Sequence, residues 1–419
     1  MTPGITESGT AAIEARNGAP PHTPSENALL LCCARRRLKV CDDGDDELRR
    51  LIPEIKDWDY VLRTAARHGL TPFLFWQLKA ACDGPIPASF MDKLSDQFHR
   101  NAAGNLLLTA ELRSISGLFE EHGISAVPYK GPALALLLYG DTAFRRFDDL
   151  DLLLRRRDIP KATALLLSIG YRSPYTMSCA REAAYLETQR QQLFAHPGRR
   201  VCVELHWGFA QTFLAPSLDS DHFWGRLSKG SLEGVWTNAL APEDLLLVLC
   251  VHGCKHLWER LAWLCDVAEL VAAHPGMDWE KLLAEARALG VRRMLSLGLF
   301  LAHDLLDAPL PEAVRRDVHD DAIIKSLSGR VRANLFTENL LSHGPSRSLL
   351  FHYEVRERRL DGARYCYHIT IPPTPAEWTA LDLPDPFSFL YYLVRPLRLI
   401  KKHSAAQLKR LAGFRLAGF

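Results

Sequence analysis

Two aspartates separated by one residue, Asp149 and Asp151, lie in the run FDDLDLLL. The alternation in this run predicts a β-strand, with both aspartates on one face and Leu150 and Leu152 on the other, toward a core. Two carboxylates held this close repel each other, and a divalent cation relieves the repulsion. Because all of the candidate ligands are oxygens, Mg²⁺ or Mn²⁺ is favoured over zinc. Aspartates solvated at the end of a strand are the alternative.

A third carboxylate, Glu204, lies further along the chain in VCVELHW. If this segment is a strand, Cys202, Glu204 and His206 share one face, and Val201 and Val203 share the other. A single carboxylate between apolar neighbours is typical of an ordinary strand face. On a strand next to the aspartate pair, Glu204 becomes a candidate third metal ligand, as two-metal phosphoryl transfer requires.

The segment YKGPALALLLYGD, upstream of the aspartates, contains a candidate phosphate-binding turn. A short strand leads into Lys130 and Gly131, and a helix is predicted to begin at Pro132. The N-terminus of a helix attracts phosphate through its exposed N–H groups and its dipole. The P-loop pattern is absent, so Lys130 would act as a point charge on a phosphate; an exposed lysine at a strand end is the alternative.

The elements that must position these residues change in type along the chain. Residues 1–26, rich in Thr, Pro, Gly, Ser and Ala, are predicted to form a disordered tail. Helical periodicity covers 27–122, short strands and helices alternate over 123–210, and helical patterns return over 211–345. We expect 346–419 to pack on the core. This order predicts an α+β unit embedded between mainly α-helical regions.

Composition excludes several classes of protein. The chain has 419 residues, 47% of them hydrophobic, with 51 Lys and Arg against 49 Asp and Glu. A net charge of +2 argues against a protein whose main role is to coat nucleic acid. No apolar stretch approaches the ~20 residues that span a bilayer. The N-terminus lacks the pattern of a secretory signal, so we expect a cytoplasmic protein with reduced cysteines.

These segments together resemble a known family. YKGPALALLLYGDTAFRRFDDLDLLL followed by VCVELHW is similar to a poorly characterised bacterial nucleotidyltransferase family within the DNA polymerase β superfamily. The segments EEHGISAVPYKG, PEDLLLVLCVHGCKHLWERLAWLCDVAEL and LYYLVRPLRL extend the resemblance over most of the chain. It implies a small polymerase-β-like nucleotidyltransferase palm, a mixed sheet with flanking helices, between mainly helical regions.

The resemblance also implies roles for the candidate residues. Asp149, Asp151 and Glu204 would be catalytic and would hold two Mg²⁺ (or Mn²⁺) ions. Lys130 and Gly131 would cradle the triphosphate of an NTP, for which ATP is the expected donor.

Three further residues are expected at the nucleotide. Arg145 matches the family's arginine and would pair with Asp149 or contact phosphate. Helical spacing places His252 with His256, and His256 with Arg260, on one face. The resemblance makes His256 and Arg260 candidate contacts to phosphate or to the metal-binding residues; polar residues with satisfied hydrogen bonds in a buried helix are the alternative.

The expected activity is Mg²⁺-dependent transfer of a nucleoside monophosphate from an NTP to a hydroxyl or phosphate, with release of pyrophosphate. The acceptor is undefined and could be a small molecule, a peptide, a glycan or a protein. Nucleic acid polymerisation is not expected, because no basic groove with interleaved aromatic residues is visible. The chain has Lys-Gly-Pro where the wider superfamily has Gly-Ser. A non-catalytic binding or antitoxin-like module, or a phosphotransferase using the same metal site, therefore remains an alternative.

The closing segment FSFLYYLVRPLRLIKKH combines apolar, aromatic and basic residues. Such a composition suits either a helix that docks on the core or one that lies on a membrane surface. We favour docking on the core.

Overall fold

The computed structural model describes residues 24–36, 46–81, 85–174, 185–187, 189–209, 223–232, 235–337, 345–374, 377, 381 and 385–401. The predicted disordered tail lies outside the described residues except for 24–26, which begin the first helix. Within these described ranges, no helix is both long enough and apolar enough to cross a bilayer.

The N-terminal region is helical wherever it is described. Its helices are α1 (Pro24–Arg36), α2 (Asp46–Leu51), α3 (Trp58–His68), α4 (Thr71–Ala80) and α5 (Ala88–Glu121). Helix α3 begins where the Asp57 side chain accepts a hydrogen bond from the backbone N–H of Tyr60, and it ends at Gly69, whose φ is +71°. These are ordinary start and stop signals of a helix.

A four-stranded mixed sheet follows, as predicted. Its strands β1 (Ala126–Pro128), β2 (Leu150–Leu154), β3 (Gln191–His196) and β4 (Val201–His206) lie in the order β1-β2-β4-β3. Strands β2 and β4 are parallel, and the other pairs are antiparallel. Helices α6 (Gly131–Tyr139) and α7 (Ile159–Ser168) flank the sheet. The predicted α+β fold class is therefore confirmed.

The two faces of the sheet differ in polarity. On one face Leu152 and Leu205 are fully buried, in a core that includes Ile115 of α5 and Leu166 of α7. Because side chains alternate along a strand, the neighbouring residues point to the opposite face. Burial of the apolar face, at about 25 cal/mol per Å², anchors a sheet whose other face carries charged residues.

The C-terminal part is mainly helical but begins with a hairpin. Strands β5 (Ser228–Leu232) and β6 (Val235–Ala239) pair antiparallel inside the range 211–345, for which helices were predicted. The helices are α8 (Pro242–Lys255), α9 (Leu261–Ala273), α10 (Trp279–Leu289), α11 (Arg292–Leu306), α12 (Glu312–Asp320), α13 (Ala322–Leu335), α14 (Pro345–Glu354), α15 (Arg359–Thr370) and α16, residues 391–401. Helix α16 buries Tyr391 but leaves Leu393 and Leu397 exposed.

One predicted long helix is interrupted. The helical spacing of His252, His256 and Arg260 predicted one continuous helix, but the stretch is divided between α8 and α9, because Leu257 and Trp258 have positive φ angles of 56° and 54°. Such backbone angles are uncommon in residues other than glycine and persist only when the surroundings enforce them. Here Gly253 and Gly298 leave room for the fully buried Trp258 ring. A Cβ at Gly253 would lie 2.5 Å from this ring, and a Cβ at Gly298 would lie 3.0 Å from it.

His68, the last residue of α3, connects the N-terminal helices to the start of α9. It is fully buried, and its Nδ1 accepts a hydrogen bond from the backbone N–H of Leu261 at 3.3 Å. The first N–H groups of a helix have no partner within the helix, so this contact satisfies one of them. Burial, followed by the charge of Arg67, lowers the pKa of His68 from 6.5 to about 3.

We expect acid to destabilise the fold through His68. Because its pKa is lower in the folded state, the unfolded state binds more protons; the stabilisation is complete above pH 6.5 and is lost as the pH falls toward 3. At pH 5 the loss from this residue is about 2 kcal/mol. Urea unfolding of the wild type and of His68→Gln measures the free energy of unfolding at neutral pH and at pH 5. This free energy should fall less between the two pH values in the variant than in the wild type. An equal fall in both proteins would show that His68 is not the source of the acid sensitivity.

Candidate active site

Two carboxylates and an imidazole converge on the polar face of the sheet. The parallel register of β2 and β4 pairs Asp151 with Glu204. His206 Nε2 lies 2.8 Å from Asp151 Oδ1 and 3.3 Å from Glu204 Oε2. One ligand atom from each of the three residues lies within 4.8 Å of the others, and in the described part of the chain they are the only such group of three or more His, Cys, Asp or Glu.

Asp149 adjoins this group. It directly precedes β2, and lines the same cavity as Asp151 and Glu204. Burial, followed by the charges of Asp151 and Glu204, raises the pKa of Asp149 from 3.8 to about 6. The structure thus brings the three predicted carboxylates together and adds His206. Its place on the same strand face as Glu204 was visible in the sequence, but its contact with both carboxylates was not.

Positive charge compensates the carboxylates. Burial raises the pKa of Asp151, but the charge of Lys130 and the hydrogen bond to His206 outweigh burial, so the pKa lies far below its usual value. For Glu204, burial also raises the pKa, and the bond to His206 brings it below normal. Burial lowers the pKa of His206, whereas its bonds to Asp151 and Glu204 raise it above 6.5.

Two lysines lie at the carboxylates. Lys130 Nζ is 3.5 Å from Asp151 Oδ1. Lys255 Nζ donates a hydrogen bond to Gln191 Oε1 at 3.4 Å, and the Gln191 amide donates to Glu204 Oε2 at 3.1 Å. Burial, followed by the charge of Lys130, lowers the pKa of Lys255. Sequence reasoning did not select Lys255 or Gln191, because their approach depends on how α8 and β3 pack.

Gly131 lets the start of α6 approach the aspartates. Its φ is +55°, and a Cβ at this position would lie 3.3 Å from the backbone oxygen of Asp149. A side chain is disfavoured here on both grounds. The Lys130–Gly131 turn therefore brings a helix N-terminus against the carboxylate cluster.

Arg145 is placed differently from one of our predictions. It pairs with Asp266 of α9 rather than with Asp149: its Nε and Nη2 each lie 3.1 Å from Asp266 Oδ2. The Tyr139 hydroxyl donates to Asp266 Oδ1 at 3.0 Å. Both members of the ion pair are buried. Arg145 therefore ties the segment before β2 to α9, and a contact to phosphate stays a prediction.

The carboxylates, Lys130 and Arg145 line a cavity with a volume of about 340 Å³. Its second wall lies around the interruption between α8 and α9. This wall contains His252, His256, Arg260 and Trp263. The His252 and His256 rings are 4.7 Å apart and lie 5.1 and 5.4 Å from Trp263. Burial, followed by the charge of Lys255, lowers the pKa of His256 to about 4, so that it is neutral at pH 7.

His256 and Arg260 therefore line the same cavity as the carboxylates. The prediction that they share a face of one helix is wrong, because His256 follows the last residue of α8 and Arg260 precedes the first residue of α9. The two nearby tryptophans differ in position: Trp258 is fully buried, whereas Trp263 lines the cavity.

Removal of one member of the buried pair should destabilise the protein strongly. Asp266→Ala would leave the Arg145 guanidinium buried without a carboxylate, at a cost of about 3–5 kcal/mol. Asp59→Ala is the matched control, since Asp59 forms an exposed pair with Lys93 at 3.1 Å, which contributes less than about 1 kcal/mol. Urea unfolding at neutral pH measures both. If both variants lost a similar amount of unfolding free energy, the structural role of the Arg145–Asp266 pair would be contradicted.

Comparison with known proteins adds one finding. The model of a protein family described as an uncharacterised nucleotidyltransferase matches residues 54–307, more than half of the chain. The matched range includes β1–β6 and every residue that lines the cavity. No curated protein and no solved structure matches the chain.

Proposed function

The chain belongs to this uncharacterised nucleotidyltransferase family, and from that premise we propose that it transfers a nucleoside monophosphate from an NTP to an acceptor hydroxyl or phosphate, releasing pyrophosphate. ATP is the expected donor. The observation that carries the proposal is the convergence of Asp151, Glu204 and His206 beside Asp149, in a cavity that Lys130 also lines. Such a cluster suits metal-assisted transfer of a phosphorus group.

The donor set fits a divalent metal. Its candidate ligands are carboxylate oxygens, which Mg²⁺ and Mn²⁺ prefer, and the parallel register of β2 and β4 places Asp151 beside Glu204. Asp149, Asp151 and Glu204 would hold Mg²⁺ or Mn²⁺. When bound, the metal neutralises phosphate charge and acidifies the attacking hydroxyl.

The basic side chains of the cavity would bind the triphosphate. Lys130 stands 3.5 Å from Asp151 and Lys255 reaches Glu204 through Gln191, so both lysines lie beside any phosphate held at the carboxylates. The N-terminus of α6, at Gly131, would add backbone N–H groups. A cavity of about 340 Å³ is within the range of small-molecule sites.

The second wall would contact the nucleoside. His256 and Trp263 offer ring faces, and the Arg260 guanidinium lies 5.7 Å from the Trp263 ring centre. Because burial keeps His256 neutral at pH 7, its ring can stack without adding charge. This arrangement supports nucleotide-binding roles for His256 and Arg260.

We expect NTP binding to require both metal and the aspartates. Titration calorimetry with non-hydrolysable analogues of the four NTPs should show Mg²⁺-dependent binding of at least one to the wild type. Asp149→Asn/Asp151→Asn should lose that binding because no carboxylate pair remains to hold the metal. The exposed Asp59→Asn should retain it. A folded wild type that binds no analogue would favour the non-catalytic module, the alternative suggested by the Lys-Gly-Pro turn.

The position of the label in the product separates the two transfer reactions. With an NTP labelled at the α-phosphate, nucleotidyl transfer moves the label to the acceptor and releases unlabelled pyrophosphate. A phosphotransferase would leave that label in the nucleoside diphosphate. Detection of the second pattern would replace our proposal with the phosphotransferase alternative.

Lys255→Gln should weaken nucleotide binding without removing the metal. Its ammonium contacts Gln191 rather than a carboxylate directly, so the metal ligands should remain in place. We expect NTP-analogue affinity to fall about tenfold, as for the loss of one charge-assisted hydrogen bond. Mn²⁺ affinity, measured by electron paramagnetic resonance, should change less than twofold. A parallel loss of Mn²⁺ affinity would show that Lys255 supports the metal ligands instead.

A further inference from the structure

A second cavity adjoins the first and is strongly basic. It has a volume of about 650 Å³ and shares Arg146, Phe147 and Asp148 with the active-site cavity. These three residues directly precede Asp149. We call this cavity the basic groove and define it by Arg100 and Asn101 of α5, Arg146 and Asp148, and Arg199 and Arg200 of the turn between β3 and β4.

The charge in the basic groove is one-sided. Four arginines line it, whereas Asp148 is the single acidic side chain among its described lining residues. The whole chain carries a formal net charge of only +2, so the excess of arginine over acidic residues in this groove is a local feature. A groove lined by one sign of charge raises the local concentration of ligands of the opposite sign.

Two of the arginines are available to a ligand. Arg199 pairs with Glu111 at 2.7 Å, and Arg146 lies 3.6 Å from Asp148. Within the described ranges, Arg100 and Arg200 have no carboxylate partner, and both are exposed. Two guanidinium groups facing one cavity can each form paired hydrogen bonds with phosphate oxygens.

The walls of the basic groove are fixed relative to the carboxylates. The Asn105 amide donates to the backbone oxygens of Thr142 and Arg145 at 2.6 and 2.7 Å. The Asn101 amide donates to the backbone oxygen of Ala143 at 3.2 Å. These bonds tie α5, which carries Arg100, to the segment that leads into Asp149. A ligand held by Arg100 is thereby placed at a defined distance from the reacting centre.

We propose that the basic groove binds the acceptor and that the acceptor is a small molecule bearing phosphate groups. The acceptor role rests on the proposed function; the anion site does not. Continuity with the active-site cavity through Arg146 and Phe147 places the ligand beside the carboxylates. A volume of about 650 Å³ is within the range of small-molecule sites, whereas a long nucleic acid would need an extended basic surface.

Inorganic tripolyphosphate in metal-depleted buffer is a direct probe of the groove. Without metal no ion joins the anion to Asp149, Asp151 and Glu204, so we expect the groove to bind it more tightly than the active-site cavity does. Calorimetry should show one saturable site in the wild type. Arg100→Gln/Arg200→Gln should bind at least tenfold more weakly. Lys130→Gln tests the alternative, because it removes a cation of the active-site cavity and none of the groove; binding in that cavity would weaken in this variant rather than in the Arg100/Arg200 variant.

A control variant distinguishes binding in the groove from a general effect of losing positive charge. Arg63 is an exposed arginine of α3 that lines neither cavity, so Arg63→Gln should bind tripolyphosphate like the wild type. Circular dichroism should show that all variants are folded. No saturable binding by the wild type, or a loss in Lys130→Gln but not in the Arg100/Arg200 variant, would overturn the proposal.

Two competing ligands test the chemical class. Citrate, whose charge is carried by carboxylates, should bind at least tenfold more weakly than tripolyphosphate; equal binding would overturn the phosphate assignment. A twelve-nucleotide RNA that binds more tightly than tripolyphosphate, and loses affinity in the Arg100/Arg200 variant, would assign the groove to nucleic acid instead. Because NTP binding is measured with metal and groove binding without it, failure of the proposed transferase activity would be recognised separately.

Discussion

Repulsion among three carboxylates is the constraint to which the surrounding structure responds. Two such charges about 4 Å apart cost about 4 kcal/mol at the effective dielectric of a protein surface, and Asp149, Asp151 and Glu204 are largely buried. The register of β2 and β4 holds the cluster together, and His206 and Lys130 balance it. Positive side chains thus stabilise the carboxylates in the absence of metal, and under the proposed function the same site would receive an ion and the phosphates that accompany it.

The helical region completes the site through an interruption rather than through a helix face. Packing of Trp258 against Gly253 and Gly298 forces two residues into left-handed backbone angles. As a result, His256 and Arg260 flank the interruption, and both line the cavity opposite the sheet. The buried hydrogen bond of His68 and the Arg145–Asp266 pair hold α9 against the N-terminal helices and the segment before β2. Sheet and helices are thus joined at the walls of the cavity.

What could be predicted from the sequence was local. Alternation along FDDLDLLL and VCVELHW predicted which side chains share a strand face, because that depends only on the period of a strand. The partner of Arg145 could not be predicted in this way, since Asp266 is 121 residues away, on helix α9. The contact of His206 with Asp151 depends on strand register, and the interruption after Lys255 depends on Gly298 of another helix. Each of these is a consequence of tertiary packing.

Transfer of a phosphorus group requires the donor and the acceptor to approach from different directions, and two adjoining cavities can provide this. The attacking and leaving oxygens lie roughly in line in the transition state, so an acceptor needs an approach that the triphosphate does not occupy. Lys130, Lys255 and the start of α6 would hold the triphosphate, whereas the basic groove opens beside Arg146 and Phe147. A separate approach of this kind would let an acceptor be positioned by its own phosphate contacts. With the acceptor in the basic groove, the Lys-Gly-Pro turn would have only the donor to bind. The N-terminus of α6, which Gly131 allows to lie close to Asp149, would offer backbone N–H groups for this without a serine.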